Sequence, residues 1–428
     1  MKISIVIPTH NRADTLRNAI ESILPLRAEA HFEFVIVDNN STDTTRQVVE
    51  SYGSLARYVF EGKTSFTMAR KAGADHATGD VLLYLDDDVL VRPGSLKRIV
   101  EVFTRHPDCG VIAGHIDPKY TEQPPQWTLD CQRAFNGWSL FNPETISDLR
   151  EEFQIVPSAA GPMMAIRRTA YDRVGGFPPD TIGVETNRAE RSFNKLYIGP
   201  GDYGLCLKIR AAGFNVYYSS DIAVFHVIPP IRFTIQFWRS RVIGEGYCEA
   251  ISQRGFFALS GLRAYRARLR RRVRFLRDEQ KLLARLAHGP VPATADGQAG
   301  MLPEELLVLY AKAYLDMDYV LQRYPTLWQF LWQIGNEGVS SANYDDVMER
   351  LPSEYRELVG NEFVYESAPI DSPAAYQRIL AGRGYHERNL GLLLGRRASR
   401  RMVLGLADML RAVKARLKPR ALPQISAR

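Results

Sequence analysis

Short runs of β-branched and aliphatic residues alternate with amphipathic stretches through the first half of the chain, and few folds accommodate that alternation. A run such as residues 3–7, ISIVI, is too apolar to face water, so it belongs in a sheet covered on both faces. The amphipathic stretches supply the covering helices, which makes the first half a doubly wound α/β sheet. Strands are expected over residues 3–7, 34–37, 58–60, 81–85 and 111–116. Helices are expected over 14–24 with Asp14 as N-cap, from the polar turn at 39–45 to about 51, over 67–78 and over 95–105. The fourth strand delivers Asp86, Asp87 and Asp88 at its carboxyl end, where ligands bind in an open α/β sheet.

Residues 117–158 show little periodicity and read as a long loop region. Its Trp127 and Trp138 either stack on sugar faces or form a small local core. Residues 160–177 read as a strand, a short helix and a tight turn, and 202–212 as a helix stopped by Gly213. Short strands follow at 216–218 and 223–227. From about residue 233 the chain turns helical, with helices over 233–251, 262–287, 303–324, 344–359 and 402–417 and a linker at 289–300. A chain of 428 residues is too long for one compact core. Two parts are expected, a catalytic domain over 1–246 and a helical C-terminal extension over 247–428.

The opening apolar run meets Pro8 too soon for a signal peptide, and no run approaches the ~20 apolar residues of a spanning helix. Cys109, Cys131, Cys206 and Cys248 are scattered, which suggests neither a zinc knuckle nor a disulfide framework and fits a reducing cytoplasm. The net charge of +7 is concentrated in 263–277 and 396–420. Such runs are solvated faces or contacts for anionic lipid, acidic polymer or nucleic acid. Nucleic acid ranks last, because only Tyr265 and Phe275 interleave with the arginines of the first run. Residues 402–417 pattern either as a helix packed on protein or as a peripheral contact on the inner face of a membrane.

Three features carry chemistry. Aspartates 86 and 88, alternate residues just past an apolar strand, suit a hard cation, and three adjacent carboxylates repel one another without one. In Gly199-Pro200-Gly201-Asp202, the carboxylate at the start of a helix is either an N-cap or a general base. His226, at the end of a short strand, is either structural or a metal ligand.

Taken in order, these motifs resemble the inverting glycosyltransferases of family 2, with the fold called GT-A, from residue 3 to about 246. The resemblance implies a GT-A type mixed sheet and a nucleoside-diphosphate sugar donor. Pro8, Thr9, Asn11 and Arg12 then line the nucleotide site, and Asp38 binds the donor's base. Arg70 contacts the donor, although Lys71 stands where the family usually has asparagine. Asp86 and Asp87 face the sugar nucleotide, while Asp88, Asp86 and His226 hold Mn2+ or Mg2+, with Asp87 mainly structural. Residues 161–177 shape the donor sugar and acceptor pocket. Asp202 is the general base, with Glu185 its rival, and Leu207, Arg210 and Gly213 follow it at the family's spacing. The acceptor implied is a glycan or lipid-linked glycan. A nucleotidyltransferase is the nearest other enzyme, but Thr9-His10-Asn11-Arg12 supplies no glycine-rich phosphate loop. A non-catalytic glycan-binding protein on the same fold is the alternative of a different class, and intact Asp86, Asp88 and Asp202 argue against it.

Overall fold

A computed structural model describes residues 1–360, leaving aside 64, 136–138, 145, 147, 179–181, 184–196, 199–200, 256–260, 288–302 and 338–343. In chain order the elements are β1 (Lys2–Thr9), α1 (Ala13–Ile23), β2 (His31–Asp38), α2 (Thr45–Glu50), β3 (Ala56–Phe60), α3 (Phe66–His76), β4 (Val81–Leu85), β5 (Val89–Val91) and α4 (Ser95–Arg105). Next come β6 (Cys109–Tyr120), α5 (Gln126–Ala134), β7 (Phe153–Ile155), β8 (Met163–Arg167), α6 (Arg168–Arg173), β9 (Ile182–Gly183), β10 (Tyr197–Ile198), α7 (Gly201–Ala211) and β11 (Asn215–Ile228). The remainder is helical: α8 (Ile235–Gly255), α9 (Gly261–Ala287), α10 (Pro303–Arg323), α11 (Leu327–Glu337), α12 (Tyr344–Glu349) and α13 (Ser353–Gly360). A doubly wound mixed sheet followed by helices is the class the sequence implies.

The main sheet runs β3-β2-β1-β4-β8-β6-β11-β5, with β7 also on β11. Strands β1 to β4 pair in parallel, as their continuous apolar runs require, and β1 and β4 are buried along almost their whole length. Antiparallel β8 joins β4 to β6. This arrangement brings the carboxyl ends of β1, β2 and β4 to one edge, with the β1–α1 loop beside the β4–β5 turn.

Several expected elements differ in the structure, each for a local reason. Helix α1 begins at Ala13, so Asp14 sits in its first turn rather than capping it. The Ala13 amide is instead satisfied by Asp43 Oδ2 at 3.1 Å, from the loop after β2. The strands expected at 216–218 and 223–227 are one strand, β11, because the polar stretch between them is absorbed as an irregularity between Ser219 and Ala223. Its Ser220 amide donates to Glu152 O at 2.8 Å. Pairing with so long a partner carries β6 out to Tyr120. Within the expected loop at 117–158, α5 buries Trp127 in the main core, which removes it as a platform for a sugar; Trp138 lies outside the described residues. The helix expected over 344–359 is broken at Pro352 into α12 and α13.

Helices α8, α9 and α10 share one continuous apolar cluster with the sheet. The expected boundary at 246/247 falls inside α8. At Gly246 a Cβ would lie 2.6 Å from the Tyr310 carbonyl oxygen, so only glycine lets α8 and α10 cross this closely. The Arg239–Glu305 ion pair, 2.8 Å and almost wholly buried, joins the same two helices. No described helix is long and apolar enough to cross a membrane. The expected linker at 289–300, the helix at 402–417 and the basic run at 396–420 lie outside the described residues.

Candidate active site

The site is built from the loop after β1, the turn after β4, the start of α7 and the end of β11. Strand β1 ends with Pro8 opposite Val37 and Thr9 opposite Asp38. The chain then turns through Asn11, whose φ of 51° is a left-handed conformation that asparagine tolerates. Asn11 Oδ1 accepts from the Thr42 amide at 2.7 Å, which ties this loop to the one after β2. Asp38, 2% exposed, accepts from Tyr58 Oη at 2.7 Å and from the Ser41 amide at 2.8 Å. Tyr58 thus joins the expected base-binding position, a partner sequence reasoning missed. Partial loss of hydration, with the Asp38 carboxylate beside it, pushes the Tyr58 hydroxyl up to about 12.

The three aspartates diverge. Asp87 accepts from Thr9 Oγ1 and from Arg12 Nη1, both at 2.8 Å, so it laces β4 to the β1 loop. Asp88 accepts from Arg12 Nη1 at 2.8 Å and from Arg232 Nη2 at 3.4 Å, both on Oδ2. Its Oδ1 faces His226 Nε2 at 3.3 Å. Burial opposes ionisation there, but His226, Arg12 and Arg232 hold the Asp88 carboxyl well below the usual carboxylate range. Asp86 turns the other way, toward Arg70, with its Oδ1 3.7 Å from Arg70 Nη2. Although 25% of the Asp86 side chain is open to the cleft, its carboxyl lies deep enough that burial pushes it up to about 7; Arg70 opposes that rise and the neighbouring aspartates add to it.

Arg70 is the hub of the far side. It is 2% exposed, and its guanidinium lies 3.9 Å from the Phe66 ring centre and 5.2 Å from that of Phe177. Its Nη1 donates to Asp202 Oδ1 at the start of α7. Gly161 makes room for the pair, because a Cβ there would sit 2.6 Å from both Arg70 Nη2 and Asp202 Oδ2. Segment 161–177 therefore reaches the site through Gly161 and Phe177. Glu185, the other candidate base, lies outside the described residues.

Asp86, Asp88, Asp202 and His226 are thus gathered around two guanidinium hubs. Arg232 is the member sequence reasoning missed. It follows Pro229-Pro230 in a 3-10 turn over Pro230–Phe233, which swings its side chain back onto Asp88 and His226. Its signal in the sequence was slight, an arginine just past the strand end that carries His226.

Whether a divalent cation suits these residues is a question of donor chemistry. Asp86 Oδ1 is buried without a hydrogen bond, and Asp88 Oδ1 is buried facing only the His226 Nε2 nitrogen at 3.3 Å. Burial lowers His226 below its ordinary range while Asp88 opposes that fall. The carboxylate oxygens suit Mn2+ or Mg2+, and an imidazole nitrogen beside them favours the softer Mn2+ of the two. Among the described residues no three such groups are already closed into a metal cage.

Residues 4–175 match the family described as glycosyl transferase family 2. The chain is 22% identical over 264 residues to a glucosyl-dolichyl phosphate glucuronosyltransferase of Haloferax volcanii, covering 59% of this chain and 77% of that protein. It is 38% identical over 121 residues to an uncharacterized glycosyltransferase of Nostoc, covering 27% of this chain and 37% of that one. A mannosyltransferase from Pyrobaculum calidifontis, solved with GDP-Man and Mn2+, overlaps 97% of this chain and 87% of its own at 17% identity; its TM-score of 0.39 is too low to carry ligands across.

Proposed function

We propose, from the match of residues 4–175 to glycosyl transferase family 2 and from the site geometry, a divalent-cation-dependent, inverting glycosyltransferase that moves a sugar from a nucleoside-diphosphate donor to a glycan or lipid-linked glycan. The observation that carries this reading is the gathering of Asp86, Asp88, His226 and Asp202 at the carboxyl ends of the parallel strands. Asp38 and Tyr58 hold the nucleoside end of the donor, and Asn11 sets the loop between them and Arg12. Arg12 and Arg232, both already turned toward Asp88, offer their charge to the diphosphate. Asp88, Asp86 and His226 are the groups that would hold the cation, which when bound stabilises the charge developing on the leaving diphosphate.

Asp202 accepts the proton of the acceptor hydroxyl as that oxygen attacks the anomeric carbon from the face opposite the diphosphate. One displacement of this kind inverts the configuration, and general base assistance is worth ~10²–10⁴-fold. The test begins with a thermal-shift screen of UDP-, GDP- and dTDP-sugars with Mn2+, since a ligand of the folded state raises its melting point. With the donor chosen, EDTA abolishes turnover, Mn2+ or Mg2+ restores it, and Asp88→Ala behaves like chelation. Full turnover in EDTA would remove the cation from the mechanism.

A further inference from the structure

We propose that Arg70 serves this site as a positioning residue that acts through Asp202 and is not itself a contact for the donor; the inference rests on Asp202 being the general base. Four observations point the same way. Arg70 is 2% exposed, so little of it is presented to a ligand in the cleft. Its guanidinium is fixed between the Phe66 and Phe177 rings, with Tyr84 at 6.0 Å, and the Tyr84 hydroxyl donates to the Arg70 carbonyl at 3.0 Å, so both ends of the residue are held. Its fork addresses two carboxylates at once, Nη1 toward Asp202 Oδ1 and Nη2 toward Asp86 Oδ1. Finally, the absent side chain at Gly161 leaves the space that Arg70 Nη2 and Asp202 Oδ2 occupy.

The chemical consequence is a division of labour within one carboxylate. Oδ1 of Asp202 is engaged by Arg70, which fixes the plane of the group and leaves Oδ2 as the oxygen that takes the acceptor's proton. Arg70 also couples the start of α7 to the end of β4, so the base and the donor-facing Asp86 keep one spacing. A planar fork can span two carboxylates, whereas an ammonium is a point charge that pairs well with one. Three aromatic faces around the guanidinium supply the cation–π contact that makes a buried arginine tolerable there.

The test compares Arg70→Met, Arg70→Lys and Asp202→Asn in the full chain, using UDP-glucose, GDP-mannose and dTDP-glucose as probes with Mn2+ and scoring hydrolysis of whichever is turned over. Arg70→Met lowers kcat about 100-fold while the donor Kd from thermal shift changes less than twofold. Arg70→Lys recovers at least tenfold of that loss. The double variant with Asp202→Asn is no slower than Asp202→Asn alone, within twofold, because both changes remove one function. If Arg70→Met does not fold, Arg70→Lys carries the test by a tenfold lower kcat at unchanged Kd. A tenfold weaker donor Kd, or losses that multiply in the double variant, overturns the proposal. Normal turnover by Arg70→Met beside an inactive Asp202→Asn overturns it alone, whereas normal turnover by Asp202→Asn removes the base assignment itself.

Discussion

Gly161→Ala is the sharpest probe of the arrangement, because it adds one methyl group and changes no charge. The backbone there is not left-handed, so alanine brings no conformational strain of its own. The added Cβ would stand 2.6 Å from Arg70 Nη2 and from Asp202 Oδ2. Ordinary van der Waals separation is about 3.5 Å, so each group must retreat by roughly 1 Å. Arg70 is wedged against Phe66 and Phe177, which leaves Asp202 as the group that yields. A displacement of about 1 Å at a reacting group can cost ~10²-fold, or about 2.7 kcal/mol in the barrier. The assay is turnover of the chosen donor at saturation, with donor Kd and melting temperature measured on the same preparation. The expected outcome is a kcat lower by about two orders of magnitude, at a donor Kd within twofold of the parent. Turnover within threefold of the parent would refute the claim that this gap sets the position of the base.

Away from the site, Glu33 accepts from Lys2 Nζ at 2.7 Å, Ser4 Oγ at 2.6 Å and the Thr78 amide at 2.8 Å. Burial opposes the charge, yet these bonds bring the carboxyl down to about 2 from an ordinary 4.5. A folded-state value below the unfolded one stabilises the protein above pH 4.5, and that gain is lost as the pH falls toward 2. Because the group keeps part of its hydration, Glu33→Gln should cost about 1–2 kcal/mol at pH 7, narrowing toward zero near pH 2; a urea-midpoint difference equal at pH 7 and pH 3 contradicts this. In the helical region, Glu305→Ala strips Arg239 of its buried carboxylate and should cost about 3–5 kcal/mol, whereas replacing both by leucine should be nearly neutral. A loss under 1 kcal/mol for the single change would mean that water reaches the pair.

The parallel half of the sheet was legible because its strands are buried on both faces and so carry an unbroken apolar signal, as in residues 81–85. The edge was not. Val89–Val91 is too short to show a period, and the polar residues in the middle of β11 look like a break until β6 is seen beside them. Helix α5 was hidden for a related reason, since a segment of nine residues offers little more than two turns of pattern. In the site, single carboxylates at strand ends could be picked out, because their types and positions announce them. Their partners could not. Arg70 and Asp202 are 132 residues apart, and the glycine that lets them meet is marked only by what it lacks.

The acidic triplet shows how far a charge argument reaches. Three adjacent aspartates demand positive charge, which in the sequence points to a metal. In the folded chain much of it is met by arginine: Arg12 serves Asp87 and Asp88, Arg232 serves Asp88, and Arg70 stands near Asp86. Repulsion within the triplet therefore does not by itself call for a cation. The pointer that survives is narrower. Asp88 meets both guanidiniums on Oδ2 and turns Oδ1 toward His226, while Asp86 Oδ1 is buried without a hydrogen bond. These are the atoms to which a cation adds something the protein has not already supplied. Arg12 and Arg232, which balance Asp88 on Oδ2, carry charge that a diphosphate would also use, and Asp88 Oδ1 and Asp86 Oδ1 are the oxygens that would hold a cation beside it. Cation affinity should accordingly be higher with a nucleoside diphosphate present than without it, a coupling that reads in both directions by linkage.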